Sequence, residues 1–176
     1  MDTLIALFRG INVGGHHKLP MQDLRDILAS LGCEDVKTYI QSGNAVFNSS
    51  EHRESLATGI QAAVEAKFGF APRVLILEVE QFRAIAAANP YKAAEETPKA
   101  LHVAFLAEPP GKPDLEALEA ARSDSEAFEL VGPAFYLHAP DGIGRSKLAA
   151  CVDRALGVET TGRNWRTVAK ILELTK

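Results

Sequence analysis

Long apolar runs and paired cysteines are both missing from this chain, and each absence argues against a class of protein. No apolar run approaches the length that a bilayer span requires, which argues against a membrane protein. Cys33 and Cys151 are the only cysteines, without metal-ligand spacing, and two lone thiols are typical of a reducing compartment. The short apolar stretch at residues 4–8 follows an acid, which indicates a first strand instead of a signal peptide. We therefore expect a cytoplasmic protein.

Familiar catalytic signatures are also absent. The sequence has no GxSxG elbow, no HExxH or CxxC motif and no phosphate-loop lysine in register. His16 and His17 are adjacent and would not point the same way, so we interpret them as loop surface and not as a metal pair. The sequence predicts neither a metal site nor a cofactor.

The composition is that of a globular protein with an uneven charge distribution. The 176 residues are 47% apolar and 24% charged, enough for one large domain or two small ones. Residues 1–143 carry 12 basic against 20 acidic side chains, whereas residues 144–176 carry 7 against 3. Either the basic end packs beside an acidic body, or it forms a local anion site. The acidic balance of the whole argues against a general nucleic-acid surface.

Hydrophobic periodicity and turn residues predict the same order of elements twice. The first series comprises a strand at 4–8, a helix after Pro20, strands at 36–40 and 45–47, a helix capped by Ser50, a strand at 74–77 and a short helix ending before Asn89. The second comprises a strand at 101–106, a helix marked by Leu115, Leu118 and Ala121, strands at 128–131 and 135–137, a helix opened by Ser146, a strand at 158–161 and a last helix capped by Asn164.

Each series reads βαββαβ followed by a helix, which is the ferredoxin-like order. We therefore predict an α+β protein of duplicated ferredoxin-like units with antiparallel sheets and an extra C-terminal helix. Residues 1–88 would form the first half, the proline-containing segment 89–99 a linker, and residues 100–176 the second half with the C-terminal helix.

Two glycine-containing loops that enter helices are the most informative motifs. Residues 9–18 join a strand to a helix start, where free backbone N–H groups and the helix dipole favour an anion. Residues 141–147 form a similar loop, and Lys147 lies in a first helical turn, where the dipole disfavours a cation. Plain turns and a solvated lysine are the alternative interpretation of both.

Two further segments have structural alternatives of their own. The segment 163–166 opens the last helix, and we interpret Trp165 as a core anchor in preference to a base-stacking residue. The segment 41–44 offers polar side chains, although a hairpin turn explains it without chemistry.

Taken together, these segments resemble the signature stretches of the bacterial family called domain of unknown function 1697. The resemblance rests on residues 9–15, 39–44, 146–148 and 163–168, in that order, and Asn89-Pro90 and residues 101–103 also fit it. It runs nearly end to end. It implies a duplicated ferredoxin-like fold and no established activity.

Because the motif residues are polar or glycine and come from both halves, we expect them to converge on one site between the halves. The candidate ligand-binding residues are Arg9, Asn12, Gly14, Gly15, Lys18, Ser42, Asn44, Arg145, Ser146, Lys147, Arg163 and Arg166.

Three functions remain open. The first is binding or processing of a phosphate-bearing ligand, such as a nucleotide or a nucleic-acid backbone. The second is an enzyme on a small metabolite, in which Ser42, His16 or Lys147 would act. The third is an interaction protein without a small-molecule site.

Overall fold

The computed structural model describes all 176 residues and divides them into two compact units. The first unit contains Met1–Ala84 and Lys170–Lys176, and the second contains Ile85–Ala169. No helix in either unit has the length and apolar character needed to cross a membrane.

The elements follow the order that the sequence predicts. The strands are β1 (Asp2–Arg9), β2 (Glu34–Tyr39), β3 (Asn44–Ser49), β4 (Arg73–Glu78), β5 (Leu101–Leu106), β6 (Ala127–Val131), β7 (Ala134–His138) and β8 (Thr160–Asn164). The helices are α1 (Met21–Ser30), α2 (Arg53–Phe68), α3 (Val79–Ala87), α4 (Leu115–Ala121), α5 (Lys147–Leu156) and α6 (Trp165–Leu174). A short 3₁₀ helix at Lys92–Glu96 lies in the predicted linker.

Each unit contains one four-stranded antiparallel sheet. The strand order is β2-β3-β1-β4 in the first sheet and β6-β7-β5-β8 in the second, so the two sheets share one topology. Helices connect β1 to β2 and β3 to β4, and the same connections recur between β5 and β6 and between β7 and β8. The predicted α+β class and the duplicated ferredoxin-like order are therefore confirmed.

The core of each unit lies between its sheet and its two connecting helices. In the first unit, Leu4, Ala6 and Phe8 of β1 face a cluster that includes Leu24 of α1 and Ile60 of α2. In the second, Phe135 and Leu137 of β7 pack in a cluster with Leu118 of α4 and Leu148 and Val152 of α5. Alternation along the strands gives each sheet this apolar face, as period-two patterning requires.

The other face of each central strand is buried as well. Ile5 and Leu7 point away from the α1 and α2 side of β1, and neither is exposed to solvent. Val103 of β5 is equally buried. Burial on both faces explains why residues 4–8 of β1 form a continuous apolar run instead of an alternating one.

Several element boundaries differ from the sequence predictions, and two of these differences have a clear physical reason. Helix α2 begins at Arg53, so its N-cap residue is His52 and not the predicted Ser50, and His52 makes no side-chain cap. Before the helix, the hydroxyl of Ser49 accepts a hydrogen bond from the backbone N–H of Glu51 (3.1 Å) and forms a turn. Strand β8 covers Thr160–Asn164 and not residues 158–161, since pairing with β5 overrides the weak strand preference of this polar segment.

Candidate functional site

The first glycine loop folds into a small hairpin. The backbone N–H of Asn12 donates to the carbonyl of His17 across 3.0 Å. Gly14 and Gly15 form the turn with φ angles of 59° and 76°, the positive values that a two-residue type I′ turn requires. The glycines therefore lie at an exposed tip, and residues 16–20 separate them from the first turn of α1.

The side chain of Asn12 connects this hairpin to the turn between β2 and β3 through hydrogen bonds. Its Nδ2 donates to the carbonyl of Leu19 at 2.9 Å and to the carbonyl of Gln41 at 2.8 Å. Its Oδ1 accepts from the backbone N–H of Leu19 at 2.8 Å. These bonds occupy both ends of the amide, so Asn12 positions the backbone.

The turn at residues 40–44 is held by close packing and by a buried amide. A Cβ atom on Gly43 would lie 2.6 Å from both Phe8 Cβ and Ile11 Cδ1, so only glycine fits there. Asn44 is 1% exposed, and its Nδ2 donates to the carbonyl of Tyr39 (2.9 Å) and to the hydroxyl of Ser42 (3.3 Å). The polar segment that resembles a binding motif thus stabilises its own turn.

Arg9, Lys18 and His17 of this loop differ in their surroundings. Arg9 is half-buried at the end of β1, and Lys18 is exposed without an ion pair. His17 stacks on Phe70 with ring centroids 4.5 Å apart, and its Nδ1 lies 3.2 Å from the carbonyl oxygen of Gly10. In the first turn of α1, Asp23 pairs with Lys67, so a carboxylate already lies near that helix start.

At the helix that follows the second glycine loop, a carboxylate from the segment before β6 contacts the N-cap. Ser146 is the N-cap of α5, and its hydroxyl accepts from the backbone N–H of Ala149 at 3.0 Å. The same hydroxyl donates to Oε2 of Glu126 at 2.8 Å, and Oε1 of Glu126 accepts from the hydroxyl of Ser123 at 2.9 Å. Ser146 and Glu126 are both buried. A buried carboxylate thus lies beside the positive end of the α5 dipole.

Two cations flank this cap in solvent. Arg145 precedes Ser146, and Lys147 is the first residue of α5. Both are exposed and neither forms an ion pair. As the sequence predicts, Lys147 occupies a first-turn position where the helix dipole disfavours its charge.

Arg163 is buried, in contrast to the neighbouring Arg166. Arg163 lies on β8 opposite Val103, is 8% exposed, and its Nη1 donates to the carbonyl of Gly162 at 2.8 Å. Burial lowers the pKa of its guanidinium to about 10. Arg166 is exposed on the first turn of α6. Trp165 between them on the chain is 7% exposed and is a core residue, as predicted.

A cleft in the second unit brings two unpaired cations together. It has a volume of about 530 Å³ and is lined by Thr97, Pro98, Lys99, Ala100, Ala139, Pro140, Gly142 and Arg166. Lys99 and Arg166 are exposed and form no ion pair, and no Asp or Glu is among the lining residues. Of the residues predicted from the sequence as ligand-binding, only Arg166 lines this cleft.

His102 follows shortly after Lys99, one of the residues that line this cleft. His102 makes a hydrogen bond to the backbone of Lys99, and its Nε2 is buried without a partner. Burial is the main cause that lowers the pKa of His102, and the bond to Lys99 opposes it. Sequence reasoning missed Lys99, His102 and Glu126. The only signal for Lys99 is its position as a cation beside Pro98 in the segment interpreted as a linker.

Metal ligands are not clustered in either unit, since no group of three or more His, Cys, Asp or Glu side chains could hold an ion. The expected convergence of motif residues from both halves remains a prediction. In the first unit, the structure brings Asn12, Ser42 and Asn44 together at one turn. In the second unit, Arg145, Ser146 and Lys147 lie together at the start of α5.

The fold and these loops define an α+β protein built from two ferredoxin-like units. The family described as protein of unknown function (DUF1697) matches residues 1–136, and the chain belongs to this family. The chain is also similar to a solved structure, the conserved bacterial protein SP0830 from Streptococcus pneumoniae, at 25% identity and a TM-score of 0.70 over 99% of both chains. No curated protein matches the chain.

Proposed function

We propose that the protein binds a phosphate-bearing ligand, such as a nucleotide, in the cleft of the second unit. The observation that carries the proposal is the pair of cations Lys99 and Arg166, which line one cleft without any carboxylate to neutralise them. A phosphate would supply that missing charge, and an Arg side chain can hold it through two parallel hydrogen bonds.

The remaining walls suit the uncharged part of such a ligand. Pro98, Ala100 and Pro140 present apolar surface beside the two cations. A volume of about 530 Å³ lies within the usual range of small-molecule sites, which are mostly apolar with a few polar groups that orient the ligand. A base or a similar flat group would rest against these walls while the cations hold the phosphate.

The loop that follows the cleft strengthens the positive field. Gly142 lines the cleft, Arg145 follows on the same loop, and Lys147 begins α5; both cations are exposed and form no ion pair. The basic balance of residues 144–176 favours the approach of an anion to this part of an otherwise acidic protein. We place the phosphate near Arg166 instead of at the α5 N-terminus, because Glu126 already lies there.

An enzymatic function on a small metabolite has less support. The hydroxyl–carboxylate pair Ser146 and Glu126 has the separation of a nucleophile and a base, but both groups are buried and the hydroxyl already caps α5. Ligand binding is therefore the function that the geometry favours.

We also propose that the protein binds this ligand in the cytoplasm, since Cys33 and Cys151 are free thiols.

A thermal-shift screen followed by calorimetry tests the binding function. Inorganic phosphate, nucleoside monophosphates and triphosphates are added to the purified protein, because a ligand specific to the folded state raises the Tm. We expect at least one nucleotide to bind, and Lys99→Ala or Arg166→Ala to weaken it about tenfold each.

Lys112→Ala is the matched control, because Lys112 is also an exposed lysine without an ion pair and lies outside the cleft. It should bind like the parent. The proposal fails if no phosphate compound shifts the Tm, or if the Lys99 and Arg166 variants bind as tightly as the Lys112 variant.

A further inference from the structure

A second exposed surface, in the first unit, has a different chemistry from the cleft. We define the hairpin-tip surface by Val13, His16, Lys18, Ile40, Gln41 and Ser42, all exposed. The hydrogen bond from Asn12 Nδ2 to the carbonyl of Gln41 joins its two parts (2.8 Å). From these features we infer that the surface docks an acidic, apolar segment of a partner protein.

Exposed apolar side chains are the first observation. Val13 is 64% exposed and Ile40 is 48% exposed, and both are among the few large apolar residues that the protein presents to solvent. They lie next to the two ends of the hydrogen bond that joins the hairpin to the turn. Neither contributes to the core of the unit, so their apolar area is available to a partner.

Backbone strain at Ile40 is the second, independent observation. Ile40 has a φ angle of 49°, in the left-handed region that β-branched residues avoid. Asn or Gly would fit this turn position at a lower cost and would also remove the exposed apolar group. Ile40 thus strains the backbone of the turn and also exposes an apolar side chain. Backbone strain of this kind concentrates at binding sites.

Charge identifies the chemistry of the partner. Residues 3–22 and 36–50, which contain the whole surface, include no Asp or Glu, although the chain has 23 acidic residues. Lys18 and His16 are exposed there and form no ion pair. A partner segment that alternates acidic with apolar side chains would match the cation Lys18, the hydrogen-bonding ring of His16 and the two aliphatic groups.

Other occupants fit the surface less well. Single-stranded nucleic acid binds through aromatic stacking, but the apolar groups here are the aliphatic side chains Val13 and Ile40. Membrane surfaces are bound by amphipathic helices with several large apolar residues, and this surface is formed by two turns. A second copy meeting through the same surface would bring Lys18 to a surface that offers no carboxylate to pair with it.

Peptide binding measured by fluorescence anisotropy tests the docking surface. The probe is a set of labelled twelve-residue peptides in which Glu alternates with Leu, Ile or Phe, with Gln-for-Glu versions as controls. We expect acidic peptides to bind with a Kd below about 1 mM and to weaken as salt is raised. Val13→Ser, Ile40→Asn and Lys18→Ala should each weaken binding about fivefold or more.

Ile143→Ser and Lys112→Ala are matched controls, since both residues are exposed and lie in the second unit. They should bind peptide like the parent, and Ile40→Asn should raise the Tm by about 2–4 °C because it relieves the turn. The inference is overturned if no acidic peptide binds, if the control variants weaken binding as much, or if Ile40→Asn lowers the Tm. Tighter binding of a labelled oligothymidylate or of phosphatidylglycerol vesicles would also overturn it.

Discussion

The hydroxyl of Ser146 donates a hydrogen bond to the carboxylate of Glu126 across 2.8 Å, and both side chains are buried. The same hydroxyl caps α5. A carboxylate from the segment before β6 therefore already lies at the start of α5, which lowers the need for an external anion there. This bond joins residues on either side of β6 and β7, so it also fixes the loop after the second hairpin.

Ser146→Ala should destabilise the protein by about 1–2 kcal/mol, because it removes both the helix cap and a partner of a buried carboxylate. Denaturant unfolding measures the change. Ser50→Ala is the matched control, since Ser50 is exposed and caps no helix. Its cost should stay below about 0.5 kcal/mol. Equal losses in the two variants would contradict the capping role.

Trp165→Ala should cost about 3–5 kcal/mol, as expected for a large core side chain replaced by a small one. Trp165→Phe should cost less, because it keeps most of the packing. Thermal and denaturant unfolding give the values. A variant with an unchanged Tm that no longer binds any ligand of the parent would show that Trp165 is a stacking residue instead.

Lys147→Ala should leave stability unchanged or raise it by about 0.3–1 kcal/mol, because the cation opposes the dipole of α5. The same variant should weaken the binding of the nucleotides and of inorganic phosphate. Calorimetry with the Lys112→Ala control separates this effect from a general change in charge. A loss of stability without any loss of binding would assign Lys147 a purely structural role.

Protonation of His102 should destabilise the protein in mild acid. Burial is the main cause that lowers the pKa of His102 in the folded state. The unfolded chain therefore takes up a proton first, and stability falls as the pH drops below about 7. His102→Gln should flatten the dependence of unfolding free energy on pH between about pH 7 and pH 5. An unchanged slope would show that other groups cause the acid sensitivity.

Tyr136→Phe should cost about 1–3 kcal/mol, because it removes the hydrogen bond that the hydroxyl of the fully buried Tyr136 donates to the carbonyl of Ile85 (2.5 Å). Burial raises the pKa of Tyr136 to about 12 from its usual value of 10.0. The unfolded chain loses its proton first, so stability should fall as the pH rises above about 10. The phenylalanine variant should lack that contribution to the alkaline loss.

Local signals in the sequence were sufficient for most of the fold. Ser146 and Asn164 cap their helices as predicted, and Gly69 ends α2 in the left-handed conformation that glycine permits. The position of β8 was less predictable because its polar residues form a strand only through pairing with β5. In that case a long-range contact outweighs local preference.

The candidate site was harder to predict, because most of its features arise between residues distant in the sequence. Arg163 and Arg166 look alike in the sequence, yet β8 buries the first and α6 exposes the second. The burial of Glu126 beside Ser146 depends on the return of the chain after a whole hairpin. Asn44 reads as a ligand-binding amide but satisfies its own turn.

The two cysteines lie one in each core. Cys33 is buried in the cluster of the first unit and Cys151 in that of the second, and both are free thiols. A water-soluble alkylating reagent reaches a buried thiol only when the structure around it opens. The rates at which such a reagent labels Cys33 and Cys151 would therefore report how often the core of each unit opens under native conditions.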